Sequence, residues 1–313
     1  MEKTTAEEIR EKILLTISYF NLLNYPPTAF EIWRHLITEK KVDFCSIIKE
    51  LETLIHGEKI FCAAGCYYLF GKEKILVRRR CGKKIAVGKI KRMTFWTRRL
   101  RGLPFVRGIF VRGALALGTA ENHSDWDALV VTAPRRIWLG RLVIIIFLQL
   151  LGKRRKGRKE KGKIKDRFCL NHFLAMNGLI LEKQNQFIAH EESFSLALWG
   201  NELQRKFLGL NNQWLKRKRA NFEADQLDNF WNKQEPVFLK NRGEEFLEKI
   251  GWAEKLNSLV KKWMIKMIKN NPKSAWLGAD IRYSDQALIF IPNPWRDNLE
   301  EEARKEISVL MKR

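Results

Sequence analysis

Asp125 and Asp127 stand two residues apart at the head of an apolar run, Asp125-Trp126-Asp127-Ala128-Leu129-Val130-Val131-Thr132. Successive side chains of a strand point to opposite faces, so the two carboxylates share one face and Trp126 takes the other. Two strand residues span roughly 6.6 Å, which lets carboxylates flank a pair of hard cations about 3.5–4 Å apart. Magnesium prefers oxygen ligands and fills the rest of its shell with water and substrate phosphate. Two carboxylates on one strand face are therefore a sensible protein share of a metal-phosphate site.

The residues just upstream fit the same chemistry. Ile109-Phe110-Val111 reads as a strand, Gly113 as a turn and Ala114 to Ala120 as a short helix. A helix N-terminus offers unpaired N–H groups to a phosphate, and glycine lets the backbone come close. The stretch 111–132 thus predicts a phosphate cradle followed by a metal clamp. A D-x-D alone is common and is often only a solvated strand face; the apolar strand, the glycine, the spacing and the Leu-Val-Val run set this one apart.

At Gly113-Ala114 and Ser124-Asp125-Trp126-Asp127 the sequence resembles the nucleotidyltransferase domain of the polymerase-beta superfamily. That pattern is a strand, Gly-Ser, a helix and, about a dozen residues on, an Asp-x-Asp often preceded by serine. The resemblance implies transfer of a nucleoside monophosphate from a nucleoside triphosphate to an acceptor, assisted by two Mg2+ ions. It makes Asp125 and Asp127 the metal ligands and puts the triphosphate at Gly113, Ala114 and Ser124. The chain departs from the pattern twice: alanine replaces the serine after Gly113, and the next strand candidate, Phe168 to Leu174, carries Asn171 where an acceptor-activating carboxylate is expected. Asp166 is the nearest carboxylate to that strand and is the third catalytic candidate, with Glu182 further along.

Charge supplies the next expectation. The 313 residues carry net charge +24, and two segments hold nearly all of it: Lys72 to Arg101 contributes +12 and Lys153 to Arg167 contributes +8. Concentrated positive charge attracts polyanions, so RNA or DNA is an expected partner beside the nucleotide, with Arg78, Arg79, Arg80, Lys83 and Lys84 as contacts. Solvated linkers would give the same runs. A catalytically degenerate nucleotidyltransferase fold acting as a nucleic-acid-binding regulator is the alternative to an active enzyme. Met1 to Glu8 is polar and acidic, unlike a secretory leader. The apolar stretch Leu142 to Leu151 is far short of the ~20 residues a membrane span needs, so a buried helix and a cytoplasmic protein are expected. The five cysteines form no disulfide framework; Cys62 and Cys66 could face each other across a hairpin, but packing is the favoured role of these thiols over a zinc site.

The elements that must position the site divide the chain into four. Residues 1–70 read as three helices and a hairpin: Thr5 with Glu8 and Thr28 with Glu31 form capping boxes, Asp43 caps a third helix, and Lys59 to Phe70 folds into a ribbon. This module looks like a winged helix-turn-helix. The outward positions expected on its third helix are Ser46, Lys49, Glu50, Glu52 and Thr53, net negative, which disfavours phosphate docking there, while Phe44, Ile47, Ile48, Leu51 and Ile55 are expected inward. Residues 71–104 are a basic helical connector, 105–186 the nucleotidyltransferase-like domain, and 187–313 a mainly helical region with amphipathic stretches at 191–208 and 244–258 and a strand pair within 280–291. The expected class is α+β: a winged helix, a mixed sheet with helices, and a helical C-terminal extension.

Overall fold

A computed structural model describes residues 5–155, 164–224, 238–292 and 294–311. The first module is built from α1 (Ala6–Leu22), α2 (Ala29–Arg34), α3 (Phe44–His56) and an antiparallel ribbon, β1 (Phe61–Ala63) with β2 (Cys66–Tyr68). Both capping boxes form, and the Asp43 side chain accepts from the Ser46 N–H. Two details differ from the sequence reading. Glu50 is buried and pairs with Arg10 at 3.0 Å, while Phe44 and Ile55 are exposed and Leu54 is buried. The inner stripe of α3 therefore runs through Ile47, Glu50, Leu51 and Leu54, a helical 3-4 spacing turned slightly from the expected one. The cysteines of the ribbon do not face each other either, because the register pairs Cys62 with Tyr67 and Cys66 with Ala63.

The module leads into α4 (Lys74–Leu100), then β3 (Val106–Val111), α5 (Gly113–Leu117), β4 (Trp126–Thr132), α6 (Ile137–Leu150) and β5 (Phe168–Ala175). After these come α7 (Gln186–Phe194), β6 (Leu196–Trp199), α8 (Asn201–Lys218), α9 (Phe238–Lys249), α10 (Trp252–Lys269), β7 (Asp280–Tyr283), β8 (Ala287–Ile291) and α11 (Leu299–Met311). The result is a mixed α+β architecture around a six-stranded sheet of order β6-β3-β4-β5-β8-β7. Only the central β4-β5 pair is parallel, and α6 lies in the connection that such a pair requires. Half the strands lie beyond residue 186, so the sheet is assembled from both sides of that position.

Helices cover both sheet faces. Trp126, Ala128 and Val130 of β4 pack with Met93 of α4, Ile144 and Leu148 of α6 and Met264 of α10. Leu129 and Val131 face the other way, onto Ile188 and Ala189 of α7 and Phe207, Leu208 and Trp214 of α8. The stretch 191–208, read as one amphipathic helix, is instead helix, strand and helix. Gly200 adopts φ +87°, and a Cβ there would sit 3.2 Å from the Arg107 carbonyl oxygen and the Gly108 Cα. The chain turns sharply at that glycine after Leu196–Trp199 has paired with β3, and backbone pairing at the sheet edge overrides the helical spacing. The apolar stretch 142–151 is largely helix, as expected, but it is only partly buried: Ile144 and Leu148 pack inward while Ile146, Leu150 and Leu151 are exposed. Among the described residues no helix is long and apolar enough to cross a membrane.

The first module does not close on itself. Its core takes Leu299, Ala303 and Ile307 from α11, which lies against α1, and Ser18 donates to Glu306 at 2.5 Å.

Candidate functional site

β3 and β4 set the two aspartates. Their register pairs Val111 with Ala128, and Arg112 N–H donates to the Asp127 carbonyl at 3.1 Å, so the turn after β3 lies against the start of β4. Gly113, at φ +63°, is the residue that touches the site. A Cβ built on it would fall 2.8 Å from Asp127 Oδ2, inside van der Waals contact. The left-handed backbone and this lack of room both require glycine. Behind the carboxylates, Trp126 is fully buried and meets Phe168 edge-on at 5.1 Å, which fixes the end of the β4-β5 pair.

Asp127 lies beside Cys169 in that register, and the Asp125 and Asp127 carboxylates and the Cys169 thiol place ligand atoms within 4.8 Å of one another. Burial, then the Asp125 charge, pushes the Asp127 carboxyl up to about 6. Burial and the two neighbouring carboxylates hold the Cys169 thiol well above its usual range. Two of the three groups offer hard carboxylate oxygens, and the thiol lies beside them. The donor set therefore fits a hard divalent cation held by Asp125 and Asp127 and completed by other oxygens, with Cys169 supporting Asp127. Arg155 reaches in from beside β5: its Nη1 bonds Asp125 Oδ2 and lies 3.4 Å from Cys169 Sγ.

A recess of about 180 Å3 opens from Asp127, lined among others by Arg112, Asn171, Glu191, Trp295 and Arg296. Arg112 is almost fully buried and pairs with Glu192 at 2.6 Å and with Glu191 at 3.6 Å. Glu192 is pushed up to about 7 by burial, against the pull of Arg112. Glu191 faces the recess and raises Asp127 by its charge, while Arg296 opposes it. Arg296 comes from the turn before α11, and its Nε is buried with no hydrogen-bond partner.

The other expected site residues take different places. Asp166 is not in the carboxylate cluster; it bonds Lys89 Nζ at 2.8 Å and Arg92 Nε at 3.0 Å. Burial alone would raise it, but those two cations hold it below the usual carboxylate range. Lys89 is fully buried and also donates to the Ser124 carbonyl at 2.7 Å, so Asp166 and Lys89 brace the turn leading into β4. The Ser124 hydroxyl accepts from the Glu121 N–H at 2.9 Å, and the Ala114 carbonyl accepts from Thr119. Helix α5 spans five residues, shorter than the 114–120 expected. Glu182 is largely exposed and pairs with Arg282.

Of the basic residues, Arg80, Lys83 and Lys84 are exposed on α4, and Arg78 is exposed while bonded to Asn24. Arg79 turns inward to Glu31 at 2.8 Å and lies over the Tyr25 ring at 4.3 Å, pinning α4 to the first module. The basic positions 156–163 lie outside the described residues.

The chain matches no protein-family model, no curated protein and no solved structure. The site is therefore read from its own geometry. Sequence spacing missed Arg155, Cys169, Glu191, Arg112 and Arg296. Only Cys169 had a local signal, since it occupies a site-facing position near the start of β5, two residues before the Asn171 considered for the role.

Proposed function

We propose that this protein is a divalent-cation-dependent nucleotidyltransferase that moves a nucleoside monophosphate from a nucleoside triphosphate to an acceptor. The observation that carries the reading is the convergence of the Asp125 and Asp127 carboxylates, with Asp127 set against a glycine that has no room for a Cβ. Mg2+ bound there would neutralise charge on the triphosphate during in-line displacement at the α-phosphorus. Asp125 and Asp127 hold that charge in place, and Cys169 keeps Asp127 oriented. Asp166 is already committed to Lys89 and Arg92, and Asp297 in the recess to Lys183, so Glu191, which also lines the recess with Asp127, takes the acceptor proton in this reading. The polymerase-beta resemblance and the mixed sheet are in keeping with it, and the first module is read as a winged helix used for docking.

Incubation with labelled nucleoside triphosphates, Mg2+ and cell extract tests the proposal. Wild type labels an acceptor and Asp127→Asn does not; equal labelling by both removes it.

A second reading is favoured by the exposed basic face of α4, on which Arg80, Lys83 and Lys84 lie free of carboxylate partners in the described structure. Here the fold is a degenerate transferase that binds nucleic acid. Affinity would then persist without nucleotide and fall steeply with salt, with a log-log slope of about −3 for three or four phosphate contacts. Neutralising Arg80, Lys83 and Lys84 would flatten that slope. Salt-insensitive binding rules this reading out.

A further inference from the structure

Among the described residues, Arg155 is the cation bonded to the carboxylate pair, through Asp125. The other two nearby guanidiniums are differently placed: Arg112 is bound to Glu192, and Arg296 lies in the recess. The Arg155 backbone is fixed alongside β5, where its N–H donates to the Phe168 carbonyl at 3.0 Å. Its side chain is only partly buried and touches atoms of two of the three groups whose ligand atoms converge, Asp125 Oδ2 and Cys169 Sγ. Burial would weaken the guanidinium's hold on its proton, yet Cys169, Asp125 and Asp127 together raise its affinity, so the group stays charged.

We propose that Arg155 is a substrate-binding arginine that occupies the cation position of the Asp125/Asp127 pair until a nucleoside triphosphate arrives, and then transfers to its phosphates. This rests on the metal-phosphate reading of the two aspartates. A metal ion drawn to Asp125 would be repelled by the guanidinium already bonded to its Oδ2, so Arg155 competes with any metal ion that comes alone. A triphosphate changes the balance. It brings oxygens that complete a metal shell and offers the guanidinium fork two phosphate oxygens in place of a single carboxylate oxygen. Arg155 can make that exchange by side-chain rotation, because its backbone bond to β5 need not change. The site thereby favours a metal-nucleotide complex over either part alone, and the carboxylates keep a counter-ion in the interval.

The test uses the full chain and Mn2+ followed by electron paramagnetic resonance, with and without a non-hydrolysable nucleoside triphosphate. Arg155→Gln is expected to bind Mn2+ alone at least about tenfold more tightly than wild type, and the Mn2+-nucleotide complex about tenfold more weakly. Arg155→Lys keeps the charge and protects the fold. It is expected to hold Mn2+ affinity near the wild-type value and still weaken nucleotide binding, because an ammonium lacks the fork. Equal or weaker Mn2+ binding by Arg155→Gln, or wild-type nucleotide affinity in Arg155→Lys, overturns the proposal. Should Mn2+ bind Asp127→Asn as it binds wild type, the reading of the site falls as well. Should binding need Asp127 but ignore Arg155, only the role of Arg155 falls.

Discussion

Replacing Asp127 by asparagine should make the metal-free protein more stable while ending its response to metal. The folded carboxyl is pushed from an ordinary 3.8 to about 6 by burial and by Asp125. At neutral pH the folded state therefore carries a charge that the unfolded chain carries at less cost. The shift of about two units, at about 1.36 kcal/mol each, makes that cost about 3 kcal/mol. Because the folded pKa is the higher one, the folded state binds the extra proton. The cost is absent below pH 4, grows as pH rises, reaches about half by pH 5 and is complete above pH 6. Asparagine removes the charge and keeps the shape. For 313 residues, an unfolding entropy of about 2.1 cal/mol/K per residue turns 3 kcal/mol into a Tm gain of about 5 °C. Thermal melts of chelator-treated protein at pH 7.5 and pH 5 give the comparison. Adding Mg2+ should then nearly close the gap, since ligand at about a hundred times its Kd stabilises only the wild type, by about 2.7 kcal/mol. An Asp127→Asn protein that melts at or below wild type at pH 7.5 without metal, or that gains as much from Mg2+, refutes the argument.

Three further outcomes follow from the same geometry. Gly113→Ala forces a left-handed alanine, costing about 1–2 kcal/mol, and pushes its Cβ against Asp127; Mn2+ titration should show weakened binding, and unchanged affinity would mean the carboxylate has slack. Arg112→Met strands the buried Glu192 and should cost about 3–5 kcal/mol in urea melts at pH 8. Most of that loss should return in Arg112→Met with Glu192→Gln, and the loss should shrink at pH 6, where Glu192 takes a proton. Burial holds His35, His172 and His190 well below their usual range, so stability falls as pH drops below 6.5 and the unfolded chain takes up three protons. Asp127 and Glu192 oppose part of this between pH 6 and pH 5, so Asp127→Asn should steepen the fall in stability over that range.

The strands and the turn at Gly113 were legible because period-two apolar runs and a glycine are local signals. The two-residue spacing of Asp125 and Asp127 foretold that their carboxylates converge. What escaped was whatever depends on the route of the chain. Arg155 is one basic residue among many until the segment beside β5 carries it to Asp125. Glu191 and Glu192 differ by one position on α7, yet one lines the recess and the other is buried against Arg112. Asp166 was near in sequence but was drawn to Lys89, whose burial on α4 no spacing rule foretells. The stretch around Gly200 misled for a related reason: a four-residue edge strand is too short to outvote the helical pattern on either side until β3 is there to pair with it.

The docking of α11 on α1 has a kinetic meaning. Ser18 and its partner Glu306 are 288 residues apart, so the module containing α1 cannot complete its core until a helix made 288 residues later has appeared. At about 5–20 residues per second, α1 waits for about 15 s to a minute with Ile13, Ile17 and their neighbours lacking the α11 half of their cover. During that interval the nascent chain presents the apolar face that a chaperone binds, and synthesis order rather than final stability sets its exposure to aggregation.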